Sequence, residues 1–334
     1  MNENRTILKT RNLEIGYAGK RRRPVFSNIN LVAGEAEIIA LVGQNGIGKS
    51  TLLRSLTRLQ KSLSGDIFIY NKNLEEYGRL ELAKTIGFVS TEIVHISNLT
   101  IFDLVGLGRF PHTNWLGRMR ENDIRSVRNA INLVGLKHLA YNNINEVSDG
   151  ERQRAMIART LAQDTSLMIL DEPTAFLDLP SKYEIIHILT ELSRTKERTI
   201  IFSTHDLNIA MQEADMIWLM LPDRIMSGSP EDLVLDNSFS NIFANSKLHF
   251  DSDTGDFRMK RRPAENIYLY GKGKSLYWTQ RALERLGYNL TDNRNSETAI
   301  RLEEEAGKRT WILQKKEKIL KLKSIYELSL HLKK

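Results

Sequence analysis

Apolar runs alternate with helical patterns along the first two thirds of the chain. Residues 36–42 form a mainly apolar run that is followed by a glycine-rich segment, and a helical pattern begins at Lys49. A second unit combines an apolar run at 166–170 with an amphipathic helix pattern at 181–194, and a third run covers 199–203. Because such alternation is typical of parallel strands covered by helices, the pattern predicts an α/β domain with a mainly parallel core sheet.

Weaker patterns surround these units. Residues 7–15 alternate between apolar and polar side chains, which predicts an edge strand. Residues 122–161 have mainly helical periodicity and interrupt the strand–helix alternation. A turn at Pro222 and a short strand pattern at 225–227 indicate a closing hairpin.

A separate pattern follows a basic segment, 258–263, that ends in proline. It contains an amphipathic helix pattern at 276–286 and three strand patterns. The strand patterns cover 267–270, 299–302 and 310–313. Since 334 residues exceed the usual size of one hydrophobic core, two domains are expected. We predict a large domain at 1–258 with a helical subdomain at about 92–163, and a small α/β domain of open role at 264–334.

Composition and charge exclude some functions and leave others open. The apolar and charged fractions, 41% and 27%, are ordinary for a folded protein and exclude a disordered chain. The chain has no cysteine, which excludes disulfides and thiolate metal sites. A net charge of +7 permits nucleic acid, an anionic membrane or an acidic partner. The apolar stretches are too short to span a bilayer and the first residues lack an apolar signal region, so we expect neither secretion nor membrane spanning.

Residues 43–50, GQNGIGKS, match the phosphate-binding loop pattern G-x-x-x-x-G-K-[ST]. The loop lies between an apolar strand pattern and a helix pattern, which is where its glycines let backbone N–H groups face phosphate. Lys49 is expected to neutralise the β- and γ-phosphates, and the Ser50 hydroxyl to bind Mg²⁺. We expect nucleotide contacts at Gly43, Asn45, Gly46, Gly48, Lys49, Ser50 and Thr51.

Two carboxylates, Asp171 and Glu172, follow the apolar run 166–170. Alone, such a pair is more often a solvated strand end than a catalytic pair. After a phosphate-binding loop, it predicts that Asp171 holds Mg²⁺ and that Glu172 orients or deprotonates the attacking water.

Residues 147–153, VSDGERQ, resemble the signature motif of ABC ATPases, with Asp149 and Glu151 where the commonest form has glycine and glutamine. Ser148 and Gly150 are kept. The resemblance covers about residues 5–245 and implies a P-loop ABC ATPase fold with a helical subdomain. It also implies a homodimer, because in this family the signature contacts the γ-phosphate of ATP bound to the other subunit.

The resemblance also implies roles for residues outside these motifs. Asp178 in the sequence AFLD occupies the position of the family's dimer-contact loop, and His205 occupies that of the residue near the γ-phosphate. Tyr17 is a candidate for the aromatic that stacks on adenine. A Gln that touches Mg²⁺ and the attacking water is expected after 86–90, but Thr91 stands there, followed by Glu92, and either could replace it.

Residues 99–112, LTIFDLVGLGRFPH, resemble a segment of the ATPases that power import of iron-siderophore complexes, haem and cobalamin. This implies a peripheral subunit on the cytoplasmic face of the membrane, docked on permease subunits and served indirectly by a substrate-binding protein. The alternative is a soluble ABC ATPase that acts on ribosomes or nucleic acid. One unsplit ATPase domain without a heptad run favours the importer and predicts no nucleic-acid partner.

Overall fold

The computed structural model divides the chain into two compact units, Met1–Ile242 and Phe243–Lys334. No helix within the described ranges is long and apolar enough to cross a membrane. The structure describes residues 6–19, 22–90, 99–114, 117–196, 198–242, 248–252, 255–259, 265–294, 296–305, 308–316 and 318–333.

The strands, in chain order, are β1 (Thr6–Tyr17), β2 (Arg23–Ile29), β3 (Val32–Gly34), β4 (Ile38–Gly43), β5 (Ser64–Ile69), β6 (Lys72–Asn73), β7 (Ile86–Val89), β8 (Leu167–Leu170), β9 (Thr199–Thr204), β10 (Met216–Met220), β11 (Ile225–Gly228), β12 (Leu248–Asp251), β13 (Asp256–Met259), β14 (Asn266–Tyr270), β15 (Asn289–Thr291), β16 (Thr298–Glu305), β17 (Lys308–Lys315) and β18 (Lys318–Leu322).

The helices are α1 (Lys49–Leu56), α2 (Arg79–Thr85), α3 (Ile101–Gly106), α4 (Glu121–Leu133), α5 (Asp149–Ala162), α6 (Leu179–Lys196), α7 (Leu207–Glu213), α8 (Pro230–Leu235), α9 (Ser238–Ile242), α10 (Gly273–Leu286) and α11 (Ile325–Leu332). Short 3₁₀ turns cover Leu74–Glu76, Leu107–His112 and Lys137–Leu139.

The core sheet of the first unit has the strand order β11-β10-β4-β9-β8-β7. Four of its five strand pairings are parallel, and the fifth, between β11 and β10, is antiparallel. Every residue of β4, β8 and β9 is buried, as expected for strands with helices on both faces. The predicted mainly parallel sheet and closing hairpin are confirmed.

A second sheet has the order β2-β1-β5-β6, with β3 also paired to β1. The prediction of an edge strand at 7–15 is wrong, because β1 pairs with β2 and β3 along one side and with β5 along the other. Alternation shows that one face of a strand is buried, and it carries no information about how many of its edges are hydrogen-bonded.

The segment predicted as helical contains α4 and α5, which pack with α3. A buried ion pair fixes this packing: Arg109 Nη2 lies 2.9 Å from Asp123 Oδ1, and Arg109 Nη1 donates to the carbonyl of Ala162 at 2.8 Å. The mainly helical character predicted for 122–161 is confirmed.

The second unit contains a five-stranded sheet of order β15-β14-β16-β17-β18 together with α10 and α11. Ile267, Ile300 and Trp311 belong to its own hydrophobic core. Trp311 Nε1 donates to Thr279 Oγ1 at 2.7 Å inside that core. The three strands and the helix predicted here are confirmed, whereas β12, β13, β15, β18 and α11 were not predicted.

Candidate active site

The phosphate-binding loop connects β4 to α1. Gly46 and Gly48 have φ values of 77° and 117°, a region that strains residues with side chains. A Cβ atom at Gly48 would also lie 2.6 Å from Val25 Cγ1. Gly48 precedes α1 and forms no side-chain cap, so the N–H groups of the first helical turn are available to phosphate.

Lys49 is buried beneath this loop, with only 5% of its surface exposed. Its Nζ donates to the carbonyl oxygens of Gly43 at 2.9 Å and Gln44 at 3.3 Å, and it lies 3.8 Å from Glu172 Oε1. Burial lowers the pKa of Lys49, and the carboxylates of Glu172 and Asp171 oppose that shift. The loop thus holds a cation against its own backbone carbonyl oxygens.

Asp171 and Glu172 follow β8 and are joined through one hydroxyl. Ser203 Oγ donates to Asp171 Oδ1 at 2.8 Å and accepts the N–H of Glu172 at 2.8 Å. Asp171 is buried, so this hydrogen bond fixes its carboxylate. Ser203 was not assigned a role from the sequence. The structure identifies it through the strand register, which the sequence does not contain: β8 and β9 pair Leu170 with Phe202, one residue before each polar side chain.

Glu172 lies between the two other predicted catalytic residues. Its Oε1 is 3.8 Å from Lys49 Nζ and its Oε2 is 3.7 Å from His205 Nδ1. The backbone of Glu172 has φ 44°, an uncommon conformation for a residue with a side chain and one that occurs at functional sites. The carboxylate is partly exposed, so a water molecule can reach it.

Ser50 and Asp171 offer a hydroxyl and a buried carboxylate for Mg²⁺. Within the described ranges, no group of three or more His, Cys, Asp or Glu side chains could hold a metal alone. This sparse donor set fits Mg²⁺, which commonly uses one or two carboxylates, water and the phosphates of the nucleotide. With the nucleotide, the ion would neutralise charge on the β- and γ-phosphates.

The signature residues belong to a second group at the N-termini of α5 and α6. Ser148 caps α5 and accepts the Glu151 N–H at 3.3 Å, while Asp178 caps α6 and accepts the Ser181 N–H at 3.2 Å. The hydrogen bonds from Ser181 lower the pKa of Asp178. A Cβ atom at Gly150 would lie 3.1 Å from Ser181 Oγ, so the two helix ends are neighbours.

The structure does not bring these two groups together. Across the described residues, no hydrogen bond or ion pair joins Ser148, Gly150 or Asp178 to Lys49 or Glu172. Within the described residues, direct polar contacts therefore do not link the two groups.

The remaining predicted nucleotide contacts lie around the loop. Asn45 and Gly46 are exposed at its tip, and Thr51 is buried in α1. Tyr17 ends β1 opposite Arg23 with 55% of its surface exposed, in the hairpin that brings Val25 to the loop. Its role against adenine stays a prediction. Thr91 and Glu92 lie outside the described residues.

Comparison with known proteins identifies the family. Residues 26–175 match the family described as ABC transporter, and residues 264–333 match the iron ABC transporter C-terminal domain. The petrobactin import ATP-binding protein FpuD of Bacillus anthracis is 37% identical over 237 residues, which cover 71% of this chain and 86% of FpuD. The chain belongs to the ABC transporter ATP-binding proteins. The family predicted from the motifs is confirmed.

Other ABC proteins resemble the chain over the same part. The ferric enterobactin transport ATP-binding protein FepC of Escherichia coli is 33% identical, covering 73% of this chain and 89% of FepC. An inward-facing ABC transporter matches with a TM-score of 0.62 and 27% identity, covering 71% of this chain and 88% of the other. A dimeric bacterial ABC transporter cassette matches with a TM-score of 0.60 and 26% identity, covering 67% and 99%.

These matches confirm the ABC ATPase fold and the class of enzyme, an ATPase that binds a nucleotide. The assignment of roles to individual site residues stays a prediction.

Proposed function

We propose that this ABC ATPase powers an importer of metal chelates of the iron-siderophore, haem or cobalamin kind. The observation that carries the proposal is that both units match iron-transport proteins. The first unit resembles FpuD, named for petrobactin import, and FepC, named for ferric enterobactin transport. The second unit matches the iron ABC transporter C-terminal domain over 264–333.

Two copies of the chain would bind ATP between them. Each site would combine the phosphate-binding loop, Asp171, Glu172 and His205 of one copy with residues 148–150 of the other. The lack of direct polar contacts between the two groups among the described residues of one chain supports this arrangement, as does the similarity to a dimeric cassette. Mg²⁺ would be held by Ser50 and Asp171 together with the nucleotide.

Hydrolysis would begin with a water molecule placed against the γ-phosphate. Glu172 would orient or deprotonate this water, and Lys49 would stabilise negative charge on the phosphate oxygens. His205, which is close to Glu172, would contact the γ-phosphate and report its loss. Closing and reopening of the two copies would then transmit mechanical work to the membrane partner.

The segment Leu107–His112 supports docking on a permease at the cytoplasmic face of the membrane. Gly108 is needed for packing, because a Cβ atom there would lie 2.0 Å from the carbonyl oxygen of Arg159. His112 Nε2 lies 2.9 Å from the carbonyl oxygen of Gln163. Phe110 instead points outward with 72% of its surface exposed, which suits contact with another protein.

A groove adjoins this segment through Gln163. It has a volume of about 460 Å³, and Leu59, Leu82 and Phe88 line it with apolar surface. Leu59 is itself largely exposed. A groove of this size, with an apolar floor, would accept a short helix of a permease. A substrate-binding protein would interact only with the permease.

The alternative function, a soluble ABC ATPase acting on ribosomes or nucleic acid, rested on the net charge of +7. The transport ATPases that resemble the chain favour the importer over this alternative.

Co-purification tests the proposal. The chain should be recovered in detergent with a multi-span permease, and Phe110→Asp should abolish this recovery without changing the melting temperature. Leu235→Asp, at an equally exposed apolar position on α8, is the matched control and should leave recovery intact. A salt-sensitive complex with RNA or DNA, formed without any permease, would contradict the importer function.

A further inference from the structure

The signature motif of this chain contains a complete capping box, which we call the signature cap and define as Ser148 with Glu151. Glu151 Oε2 accepts the Ser148 N–H at 2.8 Å and the Ser148 hydroxyl at 2.8 Å. Ser148 Oγ in turn accepts the Glu151 N–H at 3.3 Å. The three hydrogen bonds satisfy the backbone N–H groups of Ser148 and Glu151 at the start of α5.

The signature cap occupies the only proton that the side chain of Ser148 can donate. A serine hydroxyl has one O–H donor, and phosphate oxygens at neutral pH act mainly as acceptors. While the Ser148 hydroxyl donates this proton to Glu151, the same hydroxyl cannot donate it to a γ-phosphate. Binding of ATP from the partner copy therefore requires the hydroxyl to leave the carboxylate.

The same carboxylate places negative charge where the phosphate would arrive. The hydrogen bonds from Ser148 hold the pKa of Glu151 below its ordinary value, so the group is ionised at neutral pH. Asp149 in the same helical turn is paired with Arg152 at 2.8 Å, whereas the nearby cations Arg154 and His138 act on Glu151 only through longer-range attraction. A carboxylate here opposes the attraction that the N-terminus of α5 exerts on phosphate.

We propose that Glu151 is a positioning residue that latches Ser148 in the separated subunits, so that ATP must break the signature cap before two copies can close. This inference rests on the proposed ATP-bound dimer. In this role, Glu151 raises the ATP concentration at which two copies form a dimer, compared with an uncharged residue at the same position.

The variant Glu151→Gln distinguishes two roles of Glu151: restraint of the Ser148 hydroxyl, and stabilisation of α5 alone. Glutamine can still accept the Ser148 N–H through its amide oxygen, and it is the commonest residue at this signature position, so we expect the variant to fold. It loses the negative charge and weakens the bond to the hydroxyl, since bonds to ionised acceptors are roughly twice as strong as neutral ones. If Glu151 restrains Ser148, the variant should form the dimer at a lower ATP concentration. If Glu151 only stabilises α5, the ATP concentration needed should stay the same or rise.

The experiment uses the full chain with Glu172→Gln to stop hydrolysis, and measures dimer formation by light scattering against ATP concentration. Adding Glu151→Gln should lower the half-maximal ATP concentration about fivefold to tenfold, as expected for a difference of about 1 kcal/mol. Asp103→Asn is the matched control, because Thr100 and Asp103 form the same three hydrogen bonds at the start of α3. It should leave the half-maximal concentration unchanged.

Three results would contradict the proposed role of Glu151. A half-maximal concentration that stays the same or rises with Glu151→Gln overturns the latch while leaving the ATP-bound dimer intact. An equal decrease in the Asp103→Asn control also overturns it, because the effect would then not belong to the signature. If neither variant forms a dimer at saturating ATP, the dimer itself is wrong, and the latch with it.

Discussion

Ser203 Oγ lies 2.8 Å from Asp171 Oδ1 and donates a hydrogen bond to it inside the protein. The same oxygen accepts the N–H of Glu172, so one hydroxyl positions both the proposed metal ligand and the proposed base. The chemistry of the site thus depends on a residue that would touch neither the nucleotide nor water directly.

Ser203→Ala should reduce both stability and the rate of ATP hydrolysis. Removing the hydroxyl leaves a buried carboxylate oxygen and the Glu172 N–H without this partner, which should cost about 1–3 kcal/mol of unfolding free energy. We expect kcat to fall at least tenfold, because Asp171 and Glu172 lose their shared anchor. Urea unfolding and steady-state ATPase assays measure the two effects.

Ser193→Ala is the matched control, since Ser193 is also buried and donates to the carbonyl oxygen of Ala36 at 3.1 Å, but contacts no site residue. It should lose stability while keeping kcat. Equal kcat values in the two variants would show that Ser203 has no special role in the site.

Glu172→Gln should abolish hydrolysis while ATP binding persists. An amide cannot accept the proton of the attacking water, so single-turnover hydrolysis should fall by at least a hundredfold, within the range that general bases contribute. Binding of a fluorescent ATP analogue should change little, because phosphate contacts belong mainly to the loop around Lys49.

Lys49→Ala should differ from Glu172→Gln when nucleotide binding and single-turnover hydrolysis are measured in the same way. Losing the buried cation should weaken nucleotide binding strongly, whatever remains of hydrolysis at saturation. Normal hydrolysis in Glu172→Gln would mean that another group is the base.

The residues that follow strands could be predicted from the sequence, because parallel strands end at the same edge of a sheet. The apolar runs of β4, β8 and β9 were long and uninterrupted enough to place Lys49, Asp171 and His205 together. Ser203 required the register between β8 and β9, which the sequence does not contain. The cap at Ser148 has a sequence signal, since S-x-x-E is the capping-box spacing.

Short, lysine-rich strands escaped prediction for a physical reason. Residues 318–322, KILKL, form the edge strand β18, four of whose five residues are exposed. Lysines protect an edge from pairing with other chains, but they also erase the apolar alternation by which a strand is recognised. The three-residue strand β15 was too short to show any periodicity.

Asp123→Asn should destabilise the helical part of the first unit. Arg109 and Asp123 are both buried, and leaving the guanidinium without its carboxylate should cost about 3 kcal/mol. Urea unfolding at pH 7 measures this loss. Glu81→Gln, which breaks the exposed pair with Lys72, should change the unfolding midpoint far less.

The carboxyl group of Asp123 should also make the free energy of unfolding depend on pH. The Arg120 N–H, with Arg109 and His112 adding to it, lowers the pKa of Asp123 from its ordinary value of 3.8. A carboxyl with a lowered folded pKa stabilises the protein fully above its unfolded pKa and loses that contribution as the pH falls through the folded value. The variant should therefore lose less stability than the unaltered chain between pH 5 and about pH 2. Parallel pH profiles for the two proteins would contradict this assignment.

Phe176 should be an anchor of the ATP-bound dimer. It lies between Glu172 and Asp178, has 91% of its surface exposed, and adopts φ 63°, an unfavourable backbone conformation for an aromatic residue. A large exposed aromatic held in a strained loop is typical of a residue that another protein buries. Phe176→Ala, in the Glu172→Gln chain, should raise the ATP concentration needed for dimer formation at least tenfold, because buried aromatic anchors contribute about 2 kcal/mol or more.

The unfolding midpoint of the separated subunit should stay nearly constant in Phe176→Ala, since exposed substitutions usually change stability by less than about 0.5 kcal/mol. Leu235→Ala, at another highly exposed apolar position, should affect neither measurement. Comparable dimer formation in the Phe176 and Leu235 variants would remove the loop 172–178 from the dimer interface. A lowered unfolding midpoint in Phe176→Ala alone would instead place the role of this ring within one subunit.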